Sequence, residues 1–163
     1  GLGMKHLGMF MDKTFSGRLT QDKIKSLRDA WKGNLIIKGI VNLEEADIAV
    51  KLGLDGLIVS NHGGRQLDSG QSTINALNGL QAYKGKIKIM MDSGMRSGPD
   101  IANALACGAD FTFVGWAPMY GVSALGKKGG DHTFTMLKRQ LQQVMEQVGC
   151  EQVKDLPNHL INK

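Results

Sequence analysis

Hydrophobic and polar positions follow two rhythms along this chain. Four short runs, 35–41 (LIIKGIV), 56–60 (GLIVS), 87–91 (IKIMM) and 111–116 (FTFVGW), are almost continuously apolar, as expected of buried parallel strands. Between and after them, apolar residues recur at helical spacing. Thr20 is placed to cap a helix carrying Ile24, Leu27 and Trp31 and ending before Gly33. Asn42, with Glu44 and Glu45 behind it, opens a second helix that closes at Gly53, and a third spans 72–83. A fourth runs from Gly98, with Pro99 in its first turn, to Gly108. The last is expected over 131–148, with Phe134, Leu137, Leu141, Val144, Met145 and Val148 on one stripe and Gly149 as its stop.

Strand and helix thus alternate, the pattern of right-handed βαβ crossovers in an α/β fold. A weak internal repeat points the same way. AVKLGLDGLIVS (49–60) and ALACGADFTFVG (104–115) both read helix end, Gly, Asp, strand and a small or polar tip. A complete (β/α)8 barrel takes about 250 residues. The expectation is therefore half of a TIM barrel, four parallel strands with their helices, over 20–163. Residues 1–19 show no period and read as a loop, a mobile lid or linker, in preference to a segment touching a membrane or a partner.

Composition narrows the class. With 163 residues, 42% of them hydrophobic, the chain can bury a core. The net charge of +5 is spread among acidic residues and aromatics are only 6%, which disfavours nucleic acid and suits a small anionic ligand. Lys84, Lys86 and Lys88 read as a solvated strand entrance. Cys107 and Cys150 lack metal-ligand spacing and no disulfide framework is present, so the expected setting is the reducing cytoplasm without a metal. No apolar run approaches the roughly 18 to 20 residues of a membrane span, and no signal-peptide pattern opens the chain. Its first residue is Gly, which suggests processing, a tag remnant or a fragment.

In barrels of this kind chemistry gathers at the C-terminal ends of the strands. There the first strand offers Lys38, the second Ser60, Asn61, His62 and Arg65, the third Asp92, Ser93, Gly94 and Arg96, and the fourth Gly115 ahead of a helix start at Ala117. An ammonium inside LIIKGI needs a partner, so Lys38 either stabilises negative charge on a cofactor or serves as a Schiff-base amine; a Lys at a sheet edge is the plainer alternative. His62 can move a proton near neutral pH, and Arg65 can grip a carboxylate through two parallel N–H bonds. The loop DSGMRSG (92–98), with Arg96 and its N–H groups, suits a phosphate, or is an ordinary turn in which Asp92 bonds its own backbone.

SNHGGRQLD (60–68), IIKGI, DSGMRSG, the GAD before the fourth strand, and YG ahead of a long terminal helix follow one another in this order. Together they resemble the FMN-dependent 2-hydroxy-acid dehydrogenases and oxidases, the family of flavin L-lactate dehydrogenase, glycolate oxidase and lactate oxidase. The resemblance covers 20–163 and the C-terminal half of that family's (β/α)8 barrel, and implies that residues 1–19 are the end of its mobile active-site loop. It implies FMN as cofactor and oxidation of an L-2-hydroxy acid, L-lactate or a similar one, to the 2-oxo acid. By the same resemblance His62 is the catalytic base and Arg65 binds the substrate carboxylate. Lys38 faces the flavin's N1 and C2 carbonyl, Ser60 helps hold the ring, Asp92 bonds the ribityl chain, and Gly94, Arg96 and Gly115 surround the phosphate.

At position 116 the family usually has Arg, and Trp116 there removes a phosphate contact worth about 1.5 to 3 kcal/mol unless it packs as core. The family's substrate tyrosines and the Asp that orients its His come from the other half of the barrel. A half barrel exposes two sheet edges and an apolar inner face, so the expected partner is an N-terminal barrel half or a second copy of the chain, in a homo-oligomer. The alternatives are a non-catalytic, self-associating half barrel and an aldolase-like barrel acting through Lys38.

Overall fold

The apolar runs form one parallel sheet, and the register explains which of their side chains are covered. A computed structural model describes residues 19–161; apart from Leu19, the loop expected over 1–19 lies outside the described residues. The chain forms two compact units, Gly1–Lys32 and Gly33–Lys163. In the first, α1 (Gln21–Ala30) begins as expected, with Thr20 accepting the Lys23 N–H at 3.4 Å, and ends where Trp31 turns extended.

The second unit runs β1 (Ile36–Ile40), α2 (Leu43–Lys51), β2 (Gly56–Val59), α3 (Thr73–Leu80), β3 (Lys88–Met91), α4 (Gly98–Ala106), β4 (Phe111–Thr112), α5 (Trp116–Leu125) and α6 (Gly129–Val148). The strands pair in parallel in the order β1-β2-β3-β4. This is the expected half of a (β/α)8 barrel. The fourth strand is shorter than its apolar run: it ends at Thr112, with only the Phe113 N–H still donating to the Met91 carbonyl at 2.9 Å, and Trp116, expected in the strand, opens α5 instead, one residue before the expected helix start. The last helix starts at Gly129, ahead of Asp131.

Side chains alternate across the sheet. One face carries Leu57, Val59, Ile89 and Met91, all buried. The other carries Ile36, Lys38, Met90, Phe111 and Phe113, of which only Met90 is buried, its methyl lying over Gly56, where an added Cβ would approach it to 2.8 Å. Phe111 and Phe113 meet edge to face at 5.0 Å. In a closed barrel this second face is the interior.

A bulge in β1 reconciles two demands. Lys38 pairs with Ile58, the next residue Gly39 has φ +101, and Ile40 then pairs with Val59. In a regular strand Lys38 and Ile40 would share a face. The inserted glycine lets Ile40 turn into the core at 4% exposure while Lys38 stays on the open face.

The internal repeat is a hydrogen-bond pattern. The Leu54 N–H closes α2 on the Ala49 carbonyl, and the Ala109 N–H closes α4 on the Ala104 carbonyl, each at 3.1 Å. Asp55 Oδ2 then accepts the Leu35 N–H, and Asp110 Oδ2 the Ile89 N–H, each at 2.8 Å. Each Asp therefore ties its own strand to the one before.

Between α5 and α6 the backbones touch: a Cβ on Gly129 would lie 2.0 Å from the Gly121 carbonyl oxygen. That contact sets which line of α6 is buried, namely Gly129, Thr133 and Leu137. The expected stripe is only partly inward, since Phe134 and Val148 are exposed. Of the expected lysine cluster, Lys84 donates to the Gly108 carbonyl at 3.0 Å, while Lys86 stands over the Tyr83 ring.

Candidate active site at the C-terminal rim of the sheet

Register alone brings three polar side chains together. Lys38, Ile58 and Met90 pair in one row across β1, β2 and β3. Two residues further along the same face stand Ser60 and Asp92. The Lys38 ammonium reaches up to both, donating to Ser60 Oγ at 2.8 Å and lying 3.0 Å from Asp92 Oδ2. The anion that Lys38 requires is thus internal. Its side chain is not buried as the run LIIKGI suggests, being 46% exposed against 18% for Asp92, because it lies on the open face. Burial alone would raise the Asp92 carboxyl, but hydrogen bonding from Ser60, Ser93 and Lys38, with the Lys38 charge, outweighs it and holds the group below its ordinary value.

The polar stretch after β2 curls tightly. Asn61 Oδ1 accepts the Gly63 N–H at 3.0 Å, an Asx turn, and His62, Gly63 and Gly64 all have φ between 57° and 70°. The His62 N–H donates to Ser60 Oγ at 3.2 Å, and the Gly63 N–H also reaches Ser93 Oγ at 3.0 Å. The curl turns His62 and Arg65 toward one cavity of about 510 Å³, whose walls include Lys38, Asp92, Gly94, Arg96, Gly115 and Trp116. Ser60 borders an adjoining cavity of about 430 Å³ that shares Lys38 and His62. Every residue nominated from the sequence therefore lies at one rim.

Fewer N–H groups of the loop 92–98 are available than the sequence suggests. Asp100 Oδ2 accepts the N–H groups of Arg96 and Ser97 at 3.0 and 2.9 Å, and Gln140 Oε1 accepts that of Gly98 at 2.9 Å. Ser97 and Asp100 form a capping box on α4, legible in S-G-P-D. Among the described residues the N–H groups of Gly94 and Gly115 donate to no protein acceptor, and a Cβ on either would meet nothing within 4 Å. Trp116 is neither a phosphate-binding cation nor core. It is exposed at the cavity wall, stacked on Tyr120 at 5.7 Å, with its indole nitrogen facing Gly63.

The donor set fits FMN: the cations Lys38 and Arg96 and two open glycine N–H groups line one cavity with Trp116 as an aromatic wall. Sequence reasoning assigned nothing to Ser93 or to Gly39. Only the three-dimensional pairing of two loops reveals the first, and the register shift reveals the second.

Residues 2–163 match the family model described as FMN-dependent dehydrogenase. L-lactate dehydrogenase of Actinobacillus pleuropneumoniae serotype 5b (strain L20) is 38% identical over 156 residues, 95% of this chain and 41% of that protein. (S)-Mandelate dehydrogenase of Pseudomonas putida is 38% identical over 154 residues, 94% of this chain and 39% of its own length. Among solved structures, the monotopic membrane protein (S)-mandelate dehydrogenase superposes with a TM-score of 0.90 at 36% identity, covering 98% of this chain and 43% of that one. Mandelate oxidase with 3,3-difluoro-2-hydroxy-3-phenylpropionic acid gives 0.81 at 33% identity, over 86% and 43%. The chain thus spans about two fifths of the length of the relatives it matches.

Proposed function

Since the chain belongs to the FMN-dependent dehydrogenase family, we propose that it supplies the catalytic and phosphate-binding half of a barrel oxidising an L-2-hydroxy acid to the 2-oxo acid. L-Lactate or a close analogue is the substrate we favour, in keeping with the L-lactate dehydrogenases among its relatives. The observation that carries this reading is the shared cavity of Lys38, His62 and Arg65.

Each residue has a task set by its chemistry. Arg65 binds the substrate carboxylate with two parallel N–H bonds and orients the hydroxyl carbon. His62 accepts one of the two protons released as the alcohol becomes a ketone. FMN, when bound, supplies the acceptor for the two electrons. Lys38 provides the positive charge at the cavity floor, and its pairing with Asp92 and Ser60 holds that charge in place. The same pairing opposes the Schiff-base alternative, which needs a free amine lone pair. Gly94, Arg96 and Gly115 receive the phosphate.

Partner and location form part of the proposal. The open sheet face and the two unpaired edges of a four-stranded half call for an N-terminal barrel half, or a second copy, in a homo-oligomer. We place the protein in the cytoplasm, a reading supported by the free thiols of Cys107 and Cys150. No helix of the described residues is long and apolar enough to cross a membrane.

The deciding experiment adds the N-terminal half of a lactate dehydrogenase relative to this chain and follows flavin absorbance and lactate-dependent dye reduction. We expect weak FMN binding and no turnover by the chain alone, and both restored by the added half. Tight stoichiometric FMN binding by the isolated chain would refute the division of labour. A flavin-loaded complete barrel that oxidises no 2-hydroxy acid would refute the activity.

A further inference from the structure

Two loops from different strands meet at one hydroxyl. Ser93 Oγ accepts the Gly63 N–H at 3.0 Å and donates to Asp92 Oδ1 at 2.7 Å. Asp92 Oδ2 pairs with Lys38 at 3.0 Å, Lys38 donates to Ser60 Oγ at 2.8 Å, and Ser60 Oγ accepts the His62 N–H at 3.2 Å. These contacts close a ring that begins and ends at neighbouring peptide groups, those of His62 and Gly63. The only non-glycine residues with positive φ among the described residues are both members of this ring, His62 at 57° and Ser93 at 70°. Glycine would adopt that conformation at position 93 without strain, so a serine there must gain something through its hydroxyl.

The second acceptor of the Gly63 N–H, Asn61 Oδ1, is local and shapes the turn only against itself. The Ser93 bond alone ties the turn directly to the loop after β3. We infer that Ser93 is a positioning residue, whose hydroxyl tethers the His62–Gly63 turn to the Lys38–Asp92 pair and so fixes the imidazole relative to the cation at the cavity floor. The functional side of this inference rests on the proposed oxidation; the tether itself does not.

Two variants separate the hydroxyl from the backbone strain. Ser93→Gly removes the hydroxyl and relieves the strain, whereas Ser93→Ala removes the hydroxyl and keeps it. In the 163-residue chain, amide exchange at Gly63, read by NMR, should quicken about three- to tenfold in both, while the Gly variant melts at or above the parent temperature and the Ala variant below it. Unchanged Gly63 exchange in Ser93→Gly, or exchange that merely follows melting temperature, would overturn the tether. In a flavin-loaded complete barrel, Ser93→Gly should lower kcat by a similar factor while KM for the hydroxy acid moves by less than about twofold. An unchanged kcat would overturn the positioning role. If the parent barrel oxidises no hydroxy acid, the proposed activity fails and the exchange measurement still decides the tether.

Discussion

Lys38 Nζ lies 3.0 Å from Asp92 Oδ2, although the two residues belong to β1 and to the end of β3, with all of β2 between them. The contact is possible because Ile58, which faces the same way in β2, is followed two residues on by Ser60, a side chain small enough to bridge beneath it. The pair therefore reports whether the rim of the sheet is correctly assembled.

Asp92→Asn keeps the shape and removes the charge. Near neutral pH it should cost about 1 to 2 kcal/mol, the scale of hydrogen bonds to a charged group that is partly exposed. Because the carboxyl is held below its ordinary value, its contribution is full above the unfolded value of about 3.9 and is lost as pH falls through the folded one. Urea melts of the two proteins should differ at neutral pH and converge only at the acid end. A gap that closes near pH 6 would assign the effect to another group.

Gly39→Ala places a Cβ where φ is +101. Nothing stands within 4 Å of it, so the cost is conformational, about 1 to 2 kcal/mol. Relief of that cost by regularising the strand would move Lys38 away from Asp92. Chemical denaturation checks the first effect. The second is visible as loss of the pH-dependent gap described for Asp92→Asn.

In a complete barrel, Arg65→Lys keeps the charge but loses the two-pronged grip, and KM for the hydroxy acid should rise about tenfold or more. His62→Gln should instead lower kcat by about 100- to 10,000-fold. Steady-state kinetics that showed the two effects exchanged between these residues would reverse the assigned roles.

Trp116→Arg restores a cation at the N-terminus of α5. FMN affinity should rise by about ten- to a hundredfold, with riboflavin affinity unmoved, since only FMN carries the phosphate. Fluorescence quenching titrations of both flavins test this. No change for either would mean that Arg96 and the glycine N–H groups suffice.

Gly121→Ala would drive a Cβ to 2.0 Å from Thr133 Oγ1 and 2.6 Å from the Gly129 carbonyl oxygen. The helices must separate, at a cost of about 3 kcal/mol. Thermal melting should show it clearly, whereas Gly130→Ala, where a Cβ meets nothing within 4 Å, serves as the near-neutral control.

Much of this was legible beforehand, for identifiable reasons. Caps and stops such as Thr20, Asn42 and Gly149 are local chemistry, so the helix ends they set are readable one residue at a time. The rim residues follow from strand ends, which apolar runs mark well. What escaped depends on two distant segments at once. Phe111 and Val114 are both apolar, yet the ladder with Met90 and Met91 takes in Phe111 and stops at Thr112. Phe134 lies on the helical stripe of α6, but the close approach of Gly121 turns the helix so that Thr133 is buried and Phe134 is not. Ser93 was placed at the rim by the sequence but given no role, because its partner, Gly63, is thirty residues away.

Asp55 and Asp110 make the same backbone bond to the preceding strand at the same 2.8 Å. The units that deliver β2 and β4 therefore each bring their own fastener, made by their own acid to a main-chain group that any neighbour but proline offers. A unit of this kind is portable. It can be duplicated or exchanged between relatives without a compensating change in the strand it joins, which is a chemical reason for a barrel to enlarge by copying its parts.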